Sequence, residues 1–73
     1  MNEKEFREIF AERLKDLRQE RGLSLKKLES ETGISRSALF RLENNKVEAN
    51  MHQIITLAEY FGVTTDYLLC REN

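Results

Sequence analysis

All three glycines of this 73-residue chain, Gly22, Gly33 and Gly62, stand just behind or between apolar stripes of helical period, and the chain has no proline. That punctuation limits the chain to short helices with tight stops. Phe6, Ile9, Phe10, Leu14 and Leu17 share one face of a first helix, with Arg7, Arg13 and Lys15 on the wetted side. Gly22 ends it as a left-handed residue. Ser24 then reads as the N-cap of a short second helix with Leu25 and Leu28 inward, and Ser35 as the cap of a third, whose inward stripe is Ile34, Ala38, Leu39 and Leu42. Asn45 is the expected left-handed position after helix three, because Asn tolerates positive φ. Met51, Ile54, Ile55, Ala58 and Phe61 form a fourth stripe, and Thr64 opens a last short helix containing Asp66, Tyr67, Leu68 and Leu69. The spacing therefore predicts five helices, near 5–21, 25–31, 36–44, 51–60 and 65–69, and no β-structure. An all-α fold in one domain, residues 1–73, is the expectation.

Size and composition narrow the function. A chain this short hides only about 60% of its unfolded surface and has little room for a substrate cleft. No run of 18 apolar residues exists, and the mixed-charge start (Met1-Asn2-Glu3-Lys4-Glu5) lacks an apolar signal core, so a cytoplasmic protein away from membranes is expected. The single Cys70 has no disulfide partner within the chain. With one His and one Cys on different helices, neither an enzyme nor a cofactor or metal site is expected.

Lys plus Arg number 12 against 13 Asp plus Glu, which does not suggest a polyanion binder until the charges are placed. Residues 1–23 hold six of each sign. Residues 24–46 hold five basic residues against three acidic, and residues 47–73 one basic against four acidic. A polyanion should meet the middle of the chain.

There the spacing is most informative. Leu28-x4-Gly33-Ile34-x4-Leu39-x2-Leu42 joins two short helices through a tight turn, which makes them cross steeply over those side chains. The outer face of helix three then carries Arg36, Ser37, Phe40 and Asn44, with Arg41 on the flank. An α-helix fits the major groove of B-DNA, so this face can reach base edges. Exposed Phe40 needs a partner, either a thymine methyl or another protein surface. The groove contact is favoured because Arg36 sits one turn earlier on the same face.

Several words of the sequence resemble the Xre family of helix-turn-helix regulators, which includes phage Cro and lambda-type repressors. They are Leu14-Lys15-Asp16-Leu17-Arg18, Arg21-Gly22-Leu23-Ser24, Thr32-Gly33-Ile34-Ser35-Arg36-Ser37, Arg41-Leu42-Glu43-Asn44 and Leu57-Ala58-Glu59-Tyr60-Phe61-Gly62-Val63-Thr64. The resemblance spans roughly residues 10–69. It implies a five-helix lambda-repressor-like domain that binds double-stranded DNA, commonly as a homodimer, in a prokaryotic or phage-borne regulator. It also implies an ion pair between Arg18 and Glu43. Four positions depart from the pattern: Glu29 stands where Ala is usual, Leu25 for Gln, Asn45 for Gly and Ala49 for Pro.

These observations assign base reading to Arg36, Ser37, Phe40 and Arg41. Backbone contact falls to Ser24, Lys26, Ser35, Asn44 and Lys46. The leading function is a sequence-specific transcriptional regulator, acting as a repressor by occupying an operator. No small-molecule effector site is expected, and the dimer seam is expected at Tyr67, Leu68 and Leu69. The rival is a protein-interaction module on the same fold, antitoxin- or antirepressor-like. Net charge of −1, Leu25 and exposed Phe40 support it.

Overall fold

A computed structural model of the chain describes residues 2–69; Cys70 lies outside that range. The described residues form five helices and no strand: α1 (Glu3–Glu20), α2 (Leu25–Thr32), α3 (Arg36–Glu43), α4 (Met51–Phe61) and α5 (Thr65–Leu68). The fold is all-α with a central helix-turn-helix.

Local chemistry starts every helix. Asn2, Ser24, Ser35, Asn50 and Thr64 are N-caps whose side chains accept from the backbone N–H three residues on. α1 begins two residues earlier than the apolar pattern suggests because Asn2 caps it, accepting from Glu5 at 2.9 Å. Asn50 and Gln53 form a reciprocal capping box at 2.8 and 3.0 Å, which seats α4 without the proline usual before this helix. Between α2 and α3, Gly33 takes φ 78°, a left-handed conformation that would strain any side chain. Asn45 adopts φ 57°, the one positive-φ position among the described residues not held by glycine.

The core gathers one face from each helix: Phe10 and Leu14 from α1, Leu28 from α2, Leu39 and Leu42 from α3, Leu57, Ala58 and Phe61 from α4, and Leu68 from α5. Ile34, in the turn, completes it. The six largest side chains below 2% exposure are all leucines, so the centre of this small domain is packed almost entirely by one residue type. Each such leucine contributes roughly 1.5–3 kcal/mol by leaving water.

Two expectations about the C-terminal half are corrected here. The core-facing set on α4 is Leu57, Ala58 and Phe61, buried, with Ile54 half-buried beside them, an i, i+3, i+4, i+7 series, whereas Met51 is 76% exposed and Ile55 43% exposed. α4 carries more apolar residues than its core contact can cover, so periodicity alone admits two overlapping stripes. Leu68 is fully buried against the other helices and is unavailable as an intermolecular seam. Tyr67 is likewise engaged: the Arg13 guanidinium lies 4.4 Å from its ring centroid, and Arg13 Nη1 donates to the Tyr67 carbonyl. Arg13 therefore leaves the wetted side and joins α1 to α5. Arg7 does the same for the loop after α3, its Nε donating to Asn45 Oδ1 at 2.9 Å.

Candidate nucleic-acid interface

α3 is held on two sides, by α2 and by α1. Leu39 and Leu42 drive its inner face into the core, and Ala38 packs at the edge. The turn before it is tied by Thr32, whose Oγ1 donates to the Leu28 carbonyl at 2.8 Å and accepts from Ile34 N–H at 3.2 Å. Ser35 caps the first turn, accepting from Ala38 N–H at 3.1 Å.

The far end of α3 is fastened by an ion pair that joins two helices. Arg18 Nε and Nη2 donate to Glu43 Oε2 and Oε1 at 2.6 and 2.9 Å, a bidentate arrangement, and Arg18 Nη1 donates to the Leu23 carbonyl at 2.7 Å. The Glu43 side chain is 3% exposed and that of Arg18 15%. The hydrogen bond to Glu43 holds the Arg18 guanidinium above its ordinary pKa, against the opposing effect of burial. The pair fixes the direction in which α3 leaves the core.

With both ends anchored, the outward face of α3 presents Arg36, Ser37, Phe40, Arg41 and Asn44, all exposed. Phe40 is 54% exposed. Arg41 is stabilised along the face, its Nη2 donating to Ser37 Oγ at 2.8 Å and its Nε to the Ser37 carbonyl at 3.3 Å. Asn44 Nδ2 donates to the Phe40 carbonyl at 2.7 Å, closing the last turn.

The residues expected at the DNA backbone are exposed as well. Ser24 and Ser35 are exposed caps at the N-termini of α2 and α3, where backbone N–H groups and helix dipoles favour anions. Lys26 and Lys46 are exposed and form no ion pair among the described residues; Lys27 pairs with Glu31 at 3.2 Å on the same helix. The local charge is more positive than the sequence count suggests. Glu43 is withdrawn into the core and neutralised by a residue of α1, which leaves five basic residues against Glu29 and Glu31 on the exposed part of residues 24–46. That surface can attract a polyanion although the chain as a whole is slightly acidic.

One member of the site was missed by sequence reasoning. Glu29, noted only as a departure from a family pattern, places Oε2 3.1 Å from Arg36 N and Oε1 2.9 Å from Arg36 Nε. The contact spans the turn between two helices, so no local pattern announces it.

Residues 11–73 match a family model described as a helix-turn-helix domain. Over 61 residues the chain is 34% identical to the SPbeta prophage-derived uncharacterized HTH-type transcriptional regulator YonR of Bacillus subtilis, covering 84% of this chain and 56% of that protein. Over 58 residues it is 40% identical to the HTH-type transcriptional regulator DdrOP3 of Deinococcus deserti, covering 80% of this chain and 45% of that protein. The chain thus spans about half the length of the curated relatives it matches.

Proposed function

The chain belongs to the helix-turn-helix family, and from that premise we propose that it is a DNA-binding transcriptional regulator whose α3 reads bases in the major groove. The observation that carries this reading is the exposed face of α3, where two arginines, a serine and an uncovered phenylalanine project from a rigidly anchored helix. Guanidinium forks match guanine O6 and N7, and an aromatic ring meets a thymine methyl. Arg36, Ser37, Phe40 and Arg41 read sequence, while Ser24, Lys26, Ser35, Asn44 and Lys46 set register on phosphates.

One recognition helix offers few base contacts, so operator-level discrimination calls for two copies on a two-fold site, with their α3 helices roughly 34 Å apart. The surface that suits a second copy is the exposed apolar pair Met51 and Ile55, continued by the half-buried Ile54 and Leu69 and bordered by Thr65. Occupying an operator in the cytoplasm of a prokaryotic cell, such a dimer represses by excluding polymerase. No small-molecule effector enters this mechanism.

The test is selection of binding sites from a random DNA pool, followed by titration of Arg36→Ala and Lys46→Ala on selected and random duplexes. Arg36→Ala should cost roughly five- to a hundredfold on the selected site and relax choice at one base pair. Lys46→Ala should weaken all sequences alike and lower the salt slope by about one. Equal losses on every sequence for both variants would refute base reading by α3. Failure to enrich any sequence would favour a protein-interaction module on the same fold.

A further inference from the structure

We infer that Glu29 is a specificity-determining residue of this interface, orienting Arg36 for one mode of base contact and discouraging binding to DNA of any other sequence. The inference rests on the reading of α3 as the base-reading helix. Its ground is the double contact from α2: one carboxylate oxygen accepts from the backbone N–H of Arg36 at 3.1 Å and the other from its Nε at 2.9 Å.

The first contact serves the helix. Arg36 is the first residue of α3, so its N–H has no partner within the helix, and Ser35 caps a different group, the N–H of Ala38. Glu29 supplies a second cap across the turn. Its negative charge also lies at the positive end of the α3 dipole.

The second contact constrains the reader. A guanidinium can present a side edge, through Nε and one Nη, or its end, through both Nη groups. With Nε engaged by Glu29, the end-on edge is the one left for guanine O6 and N7. Nη1 and Nη2 of Arg36 have no protein partner among the described residues. Arg36 is therefore tethered at its Nε before DNA arrives, so less ordering of a flexible side chain remains to be done on binding. The Arg36 side chain is 57% exposed and that of Glu29 34%, so the pair sits at the surface where a duplex would approach.

Glu29 acts on the competing sequences too. A carboxylate on the DNA-facing side is repelled by phosphate, and only a site that fully engages Arg36 compensates for this. Specificity is a difference of affinities, and this arrangement raises it from both ends. An alanine at this position would give a looser arginine and a less discriminating surface.

The experiment measures full-length wild type, Glu29→Ala, Glu29→Gln, Arg36→Ala and the Glu29→Ala/Arg36→Ala double variant. Each is titrated on the site enriched by wild type, on every single-base-pair substitution of it, and on random duplex. The base pair read by Arg36 is the one whose substitution penalty disappears in Arg36→Ala. At that pair alone, Glu29→Ala should lower the penalty by roughly three- to tenfold. Its affinity for random duplex should rise, and the double variant should match Arg36→Ala at that pair. Glu29→Gln, whose amide oxygen can still accept from the Arg36 N–H, should fall between wild type and Glu29→Ala while keeping the helix cap. Retention of the full penalty in Glu29→Ala would overturn the inference and leave base reading by Arg36 standing. So would an equal loss of discrimination at every base pair, which marks a merely structural role. A wild type that enriches no sequence would overturn the DNA-binding reading, and this inference with it.

Discussion

Replacing Glu43 by alanine should destabilise the domain by about 2–4 kcal/mol, far more than a surface charge change. Breaking a buried pair by removing one partner costs about 3–5 kcal/mol in general, because the other charge stays behind without compensation. Here Arg18 keeps its bond to the Leu23 carbonyl and a side chain 15% exposed, so water can reach it and the loss falls below the top of that range. A domain of 73 residues has roughly 4–11 kcal/mol in total, so this one contact holds a large share of the folding free energy. The melting temperature should fall by roughly 10–25 °C. Urea denaturation followed by far-ultraviolet circular dichroism measures the change directly, with the m-value unchanged if only stability has moved. Because the Glu43 side chain is 3% exposed, the loss should persist in 1 M salt (Debye length about 3 Å), unlike the loss of a surface pair such as Lys27–Glu31. An apolar double replacement, Arg18→Met/Glu43→Leu, should recover much of what either single variant loses. A cost below about 1 kcal/mol for Glu43→Ala, or single-variant costs that simply add in the double, would refute the reasoning.

Two further outcomes test other parts of the molecule. Phe40→Ala should leave the stability of the free domain within about 0.5 kcal/mol of wild type while weakening preference for a thymine in the selected site; a loss of about 3–5 kcal/mol in denaturation would place the ring in the core instead. Ile55→Lys sets a charge on the apolar strip of α4 and should convert a dimer to a monomer in sedimentation equilibrium, with the monomer's helix content intact. A wild type that sediments as a strict monomer, both free and on DNA, would remove the dimer from the proposal.

The sequence by itself determined the helices and the exposed face of α3. Ser24, Ser35 and Thr64 each find a backbone partner three residues away, Gly22 and Asn45 bend the chain where they stand, and Leu14, Leu28, Leu39 and Leu42 declare one inner face by spacing alone. These are short-range matters, decided by bonds and periods within a turn or two of helix. What lay beyond reach depends on where one helix crosses another. The choice between two overlapping apolar stripes on α4 was made by the space left between its neighbours, which took Leu57 and left Met51 and Ile55 outside. Arg7 and Arg13 look like solvated charges in the sequence, and nothing near Arg21 announces its partners. In the fold they reach Asn45, the Tyr67 ring, and the Tyr60 and Phe61 carbonyls at the end of α4. The charge of the candidate DNA surface also came from tertiary structure, since burying Glu43 against Arg18 withdrew an acid that a linear count assigns to it. Glu29 meets Arg36 for the same reason: they stand seven positions apart along the chain, and only the packing of α2 against α3 across the turn brings carboxylate and guanidinium to 2.9 Å.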